Sequence, residues 1–275
     1  VQLSTEFYFS FDAPIVATAI HNGHLLSKPI KDNIAINQET QLREEDPFTE
    51  HFTSIVNNRI IVHTSRFQVD LNRSRDKCFY QKPEDAWGLN VRKEKLPNFV
   101  AEKCRASYDE FYSTVREYFD KMEEKFGKFI VLDIHSFNHR RDGIDSSPAD
   151  PEKIPDIIIG TSNMPAMWND VVEDFQKKLE EQSYFGRKLK VGRNIRFPGG
   201  TFPRWIHDNF PDSACCIAIE FKKIFMCEWT SLLDLSALRS LREALSSTLP
   251  LLIKYQQNLT TKANEQKKKN HYQRV

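Results

Sequence analysis

No run of 18 or more apolar residues occurs in this 275-residue sequence, which argues against a membrane-spanning helix. Charge of one sign is also missing. Lys and Arg number 39 against 38 Asp and Glu, a formal net charge of +1, so no global field recruits nucleic acid or a membrane surface. Cysteine is sparse: the five residues Cys78, Cys104, Cys215, Cys216 and Cys227 form no CxxC pair, and an odd number cannot close into a full disulfide set. That points to a reducing, cytoplasmic setting, with the thiols as small core fillers. Internal repeats and an inter-domain linker are absent as well. The chain begins at Val1 rather than Met, as expected if a residue or targeting segment precedes it.

What is present is an alternation of strand and helix signals. A chain of this length hides roughly 70 to 75% of its unfolded surface, enough for a sizeable core. The runs APIVATAI (13–20), RIIVHTS (59–65), RFQVDLNR (66–73), FIVLDIH (129–135), DIIIG (156–160), GRKLKVGRN (186–194) and ACCIAIEF (214–221) read as strands. Phe99, Phe111, Val115, Phe119 and Met122 recur at helical spacing between Pro97 and Phe126, with Gly127 as the C-terminal cap. Met167, Val171, Phe175 and Leu179 predict a second helix, and residues 236–259 a third. RFPGGTFPRW (196–205) reads as a loop, with Gly199 and Gly200 in a tight turn or at a close approach of substrate. The pattern predicts one α/β domain over residues 1–259, a central mixed, mostly parallel sheet flanked by helices, followed by a basic, frayed tail at 260–275.

Three of the buried-strand candidates end in ionisable groups: His21, His135 and Glu220. Loops beyond the carboxyl ends of strands are where open α/β sheets bind ligands. Two imidazoles and a carboxylate gathered there suit zinc, which takes three protein ligands and keeps its fourth position for water in hydrolases. On that reading His21 and His135 are ligands, an acid of REEDPF (43–48) is the third, and Glu220 is the general base. Asp133 lies two residues before His135, on the same strand face, and is placed to hold its second ring nitrogen. Ser136 offers a rival, a serine hydrolase, but lacks the glycine-flanked elbow of such nucleophiles. A second rival is a binding module with a carboxylate-gripping pocket and no working metal.

The segments AIHNG (19–23), REEDPFTEHF (43–52), SRFQVDLNR (65–73), LDIHSF (132–137), PDIIIGT (155–161), FPGG (197–200) and IAIEFKKIFMCE (217–228) occur in an order that resembles the N-formylglutamate amidohydrolase family, whose fold is related to the zinc carboxypeptidases. The resemblance implies one zinc ion and hydrolysis of an N-formyl or N-acyl amino acid, or of a small carboxylate-bearing peptide. It implies His21 and His135 as ligands, Glu220 as base, and Asn72 and Arg73 as the grip on the substrate carboxylate, with Arg66 a second positive group and Gly200 at the substrate. The carboxypeptidases place a glutamate three residues after the first histidine, where this chain has His24. The third ligand is therefore assigned to Asp46, with Glu45 and His24 as alternatives. FNHRRDG (137–143) departs from the pattern by adding His139, Arg140 and Arg141; Arg140 is taken as a substrate contact, for a substrate that is acidic or larger than formylglutamate.

Overall fold

The computed structural model describes residues 1–272. Its elements in chain order are β1 (Thr5–Tyr8), β2 (Ile15–Ala19), α1 (Lys28–Asn33), α2 (Gln38–Glu44), α3 (Glu50–Thr53), β3 (Asn58–Val62), α4 (Asn98–Phe126), β4 (Phe129–Phe137) and β5 (Ile157–Gly160). They continue with α5 (Asn169–Glu180), β6 (Ser183–Tyr184), β7 (Arg187–Lys188), β8 (Val191–Arg193), α6 (Thr201–Asn209), β9 (Ala214–Lys222), α7 (Leu235–Ser246) and α8 (Leu249–Tyr272). Seven strands form one sheet in the order β1-β3-β2-β4-β9-β5-β8, while β6 and β7 make a separate hairpin. The centre is parallel; β1 against β3 and β5 against β9 are antiparallel. The chain is thus a single α/β domain with a mixed, mostly parallel sheet. Among the described residues no helix is long and apolar enough to cross a membrane.

Central strands covered on both sides need apolar residues on both faces, and β4 is buried along its whole length. Ile130, Leu132 and Ile134 point into one core with α5, α7 and α8, whereas Phe129 and Val131 point into another with α4 and α6. Strand alternation then puts Asp133 and His135 on the α4/α6 face, beyond Val131. Glu220 lies beside His135 on β9, in register with it.

Several expected elements take another form. RFQVDLNR is a series of turns, because no neighbouring strand pairs with it and its amides are bonded locally, Gln68 N–H to Ser65 O at 2.9 Å and Asn72 N–H to Asp70 Oδ1 at 2.8 Å. Its alternating Phe67, Val69 and Leu71 fill two different apolar clusters instead. GRKLKVGRN is divided between β7 and β8, and the loop at 196–205 turns helical at Thr201. The helix at 98–126 forms and stops at Gly127 (φ +70°), but Phe99 is left 64% exposed. A 3-10 turn at Ala166–Trp168 shifts the phase before α5, so Trp168 is buried in place of Met167. The C-terminal helix breaks after Ser246, since Pro250 has no N–H to give and its ring clashes with the turn before it. Helical backbone continues past residue 260 to Tyr272; residues 273–275 of the tail lie outside the described residues.

His207 of α6 binds the sheet where a strand partner is missing. β5 pairs with β9 only from Ala218 onward, and the N–H of Cys216 donates to His207 Nε2 at 2.9 Å. His207 Nδ1 lies 3.1 Å from Asn163 Oδ1, so the neutral ring uses both nitrogens, one as acceptor and one as donor. Burial lowers the pKa of His207 to about 4. The unfolded chain takes up this proton near pH 6.5 and the folded chain only near 4, so stability from this group is full above 6.5 and is lost as pH falls to 4. Denaturant unfolding across that window should show a loss of about 3 kcal/mol in the wild type that His207→Gln does not show.

Candidate metal centre

Asp46 follows the C-terminus of α2, and its placement is determined by the backbone on both sides. Its N–H donates to His21 O at 3.0 Å, and Thr49 Oγ1 donates to its carbonyl at 2.7 Å. Lys223, fully buried, donates to Arg43 O and Glu45 O at 2.7 Å and to Asn138 Oδ1 at 3.0 Å, fastening the end of α2 to β9. Gly23 completes the entry: a Cβ there would lie 2.0 Å from the His63 carbonyl carbon, so the HNG turn passes β3 only with glycine.

His21, Asp46 and His135 converge, all buried, with one candidate ligand atom from each lying within 4.8 Å of the others. Asp46 Oδ2 is 3.1 Å from His135 Nδ1 and 3.5 Å from His21 Nδ1. Both rings turn Nδ1 inward and hand Nε2 to a second carboxylate: His21 to Asp70 Oδ1 at 2.8 Å, His135 to Asp133 Oδ2 at 3.0 Å. Thr18 Oγ1 donates to the other oxygen of Asp133 at 2.8 Å. Two imidazole nitrogens and a carboxylate oxygen, each ring held by an acid on its far side, are a donor set that fits zinc.

The alternative ligands are engaged elsewhere. Glu45 is buried and accepts from His24 Nδ1 at 2.6 Å, from Gln41 Nε2 at 2.9 Å and from Ser65 Oγ. His24 is paired with it at the surface and does not enter the cluster. Ser136 alternates to the other side of β4, and among the described residues its buried Oγ has no hydrogen-bond partner and no base addresses it as a nucleophile.

Electrostatics agree with a cation site. Burial opposes the charge on Asp46, but hydrogen bonds from His135 and His21 outweigh it and hold the carboxyl well below the ordinary range. Burial likewise opposes ionisation of Asp70, yet Arg66 and His21 keep it charged. His135 is the converse: burial disfavours its proton, and the Asp133 charge, with hydrogen bonds to Asp133 and Asp46, raises its pKa well above the usual value. The Glu220 carboxylate makes no hydrogen bond or ion pair among the described residues; Lys222 pairs with Asp156 instead. Burial, with added repulsion from Asp46 and Asp133, raises the Glu220 pKa to about 8, against attraction from His135 and Arg66.

These residues line a cleft of about 540 Å³ that also takes in Arg66, Asn72, Arg73 and Gly200. Asn72 Oδ1 accepts from Phe202 N–H at 3.0 Å, which leaves Nδ2 as a donor without a partner among the described residues. A Cβ on Gly200 would lie 2.1 Å from Asn72 Oδ1, so the glycine makes room for that amide. Arg66 Nη2 is tied to Asp70 Oδ2 at 2.9 Å, whereas Arg73 keeps only a 3.9 Å approach to it. Arg140 does not line the cleft. The buried carboxylate of Glu228 accepts from the N–H groups of His139 and Arg140 at 2.6 and 2.9 Å, and Arg140 Nε donates to Ser146 O at 2.8 Å, which turns its side chain away and presents Arg141 instead.

Two further contributors stand at no strand end. Asp70, which also accepts from Tyr80 Oη, lies in the turn segment far from either histidine in sequence. Trp87, 53% exposed on the cleft wall with φ +55°, carries the guanidinium carbons of Arg66 and Arg73 at 4.8 and 5.7 Å from its ring centroid. The Trp-Gly pair at 87–88 is a turn signal, the only trace of it in the sequence.

The family model of N-formylglutamate amidohydrolases matches residues 13–226. No curated protein matches the chain. Among solved structures, the N-formylglutamate amidohydrolase from Ralstonia eutropha JMP134 is similar with a TM-score of 0.74 and 15% identity, covering 94% of this chain and 99% of that one. A gene product from Agrobacterium tumefaciens is similar with a TM-score of 0.59 and 15% identity, covering 90% of this chain and 95% of its own. These two share the fold, and the family model spans all of the converging residues. The chain belongs to the N-formylglutamate amidohydrolase family of hydrolases.

Proposed function

We propose that the protein is a zinc-dependent amidohydrolase, with one ion held by His21, Asp46 and His135, acting on an N-formyl or N-acyl amino acid or a small carboxylate-bearing peptide. The observation that carries this reading is the convergence of that donor set, with an acid behind each imidazole, next to an unengaged Glu220. Four of the five free thiols are buried and the fifth is partly so, which suits a reducing cytoplasm.

The bound ion supplies Lewis acidity toward the amide carbonyl and toward water. Arg73 and the Nδ2 group of Asn72 grip the substrate carboxylate and set the amide over the centre, so that binding far from the reacting carbon serves alignment. Arg66 lends positive charge, and its salt bridge to Asp70 links the carboxylate grip to the His21 side of the cluster. Trp87 backs both guanidinium groups. Glu220 takes the proton of the attacking water as the C–O bond forms and delivers it to the departing nitrogen as the C–N bond breaks. A pKa raised by burial suits a group that must first accept and then release a proton. A nearby cation draws that value down and favours the ionised base.

Three outcomes test this. Purified protein titrated with zinc should take up one equivalent, and Asp46→Ala or His135→Ala should weaken binding at least 100-fold, while Glu45→Ala should retain it. Unchanged zinc binding in His135→Ala would refute the ligand set, and a metal-stripped protein that still cleaves amides would refute zinc dependence. Glu220→Gln should lower kcat about 10²- to 10⁴-fold with zinc retained, because it removes proton transfer and not the ligands. Arg73→Ala should instead act mainly on KM, raising it roughly 10- to 100-fold for a carboxylate-bearing substrate, as expected for loss of one charge-assisted hydrogen-bonded grip. A protein that binds zinc and carboxylates but hydrolyses none of these amides is the non-catalytic binding module.

A further inference from the structure

The cleft carries more positive charge than one substrate carboxylate requires. Six cationic side chains line it, Arg43, Arg66, Arg73, Arg141, Arg196 and Lys223, against three acids, Glu44, Asp46 and Glu220. Four of the six have work within the protein. Arg43 pairs with Glu44 and Glu228 and lies 4.0 Å over the Trp229 ring, Arg66 with Asp70, and Lys223 with three oxygens, while Arg73 stands by Asp70 in the grip already described. Arg141 and Arg196 have no hydrogen bond or ion pair among the described residues.

Both are carried by segments anchored around the end of β4 and not on the Asp70 turn that carries Asn72 and Arg73. That first grip is anchored on the His21 side: Asp70 bonds His21, Tyr112 Oη donates to Leu71 O at 2.6 Å, and Tyr108 Oη donates to Arg73 O at 3.0 Å. The segments that carry Arg141 and Arg196 meet the end of β4, the strand of His135. Phe137, two residues past His135, packs on Phe197 with ring centroids 5.3 Å apart, and Arg196 is the neighbour of Phe197. Arg141 follows four residues after Phe137, in a loop pinned by Glu228 through the amides of residues 139 and 140 and by Trp229 Nε1 on Arg140 O at 2.9 Å. Arg196 is held at φ +64°, a conformation that non-glycine residues adopt rarely and that collects at ligand sites.

With the carboxylate of the amine half of a scissile amide on Asn72 and Arg73, Arg141 and Arg196 are the cleft cations left to meet the acyl half. The cleft volume of about 540 Å³ falls within the range of pockets for drug-sized ligands and has room for an acyl chain. We infer that Arg141 and Arg196 receive a second carboxylate carried by the acyl half, so that the substrate is an amide joining a dicarboxylic acyl group to an amino acid. Hydrolysis adds water across the C–N bond and releases a dicarboxylate and an amine. The inference rests on the amidohydrolase reading.

Three probes distinguish the sources of a second charge: N-acetylglycine has none, N-succinylglycine carries it on the acyl half, and N-acetylglutamate on the amine half. The zinc-loaded wild type should prefer N-succinylglycine to N-acetylglycine at least tenfold, both in kcat/KM and in calorimetric affinity. Arg141→Ala and Arg196→Ala should each lower that preference at least fivefold, and the double variant should abolish it. Absence of a succinyl preference, or variants that lower the preference for N-acetylglutamate instead, would overturn the assignment. Succinyl-selective binding that depends on both arginines but is followed by no cleavage would support the carboxylate site and overturn the hydrolytic reading alone.

Discussion

A carboxylate buried between two imidazoles is the constraint on which this structure depends. Removing an ionised group from water costs several kcal/mol even after relaxation, and an acid so placed stays charged only if its neighbours supply positive charge and hydrogen bonds. Asp46 has both from His21 and His135, and each ring in turn is held by a further acid, Asp70 or Asp133. Each of those acids needs its own donors. Asp70 is supplied by Arg66, Tyr80 and the Asn72 amide, and Asp133 by Thr18. The chain of requirements therefore reaches from the sheet through the turn segment to the cleft wall, and Asn72 and Arg73, proposed to grip the substrate, are part of it.

The sheet makes such a cluster sustainable. Parallel central strands bring their carboxyl ends to one edge, where side chains leave the apolar core without leaving the protein. Val131, Asp133 and His135 show the passage along a single face, from the core to the His21–Asp46–His135 cluster, and Glu220 reaches the same level on the adjacent strand. Lys223, buried and holding the end of α2, carries the geometry of Asp46 back to β9. A polar network of this kind is costly if half satisfied, and here the clustered residues and the acids behind them have partners, while the Glu220 side chain has none among the described residues.

Much of this was legible before the chain was seen folded. Continuous apolar runs marked β2, β4, β5 and β9, and the ionisable residues at three of their ends marked the site. The pairing of Asp133 with His135 follows from a spacing of two on a strand. Asp46 was reached only through the resemblance of REEDPF to the family pattern, because three consecutive acids in an undetermined turn have no periodicity that selects one. The turn segment departs from its pattern for a related reason: Phe67, Val69 and Leu71 alternate like a strand while Phe67 fills one apolar cluster and Val69 and Leu71 another. Arg140 and Arg141 differ by one position, and what chose between them was Glu228, nearly ninety residues away, bonding the loop backbone.

By itself, then, the sequence determined the layered α/β plan and the residues delivered to the sheet edge, since burial periodicity and strand alternation are local properties written in adjacent positions. Tertiary structure decided which acid meets the histidines, that Asp70 holds His21, that Trp87 backs the arginines, and which cations remain free to meet a substrate. Those choices depend on contacts between segments far apart in the chain. A buried charge must find its partner in space, and no local pattern specifies where that partner comes from.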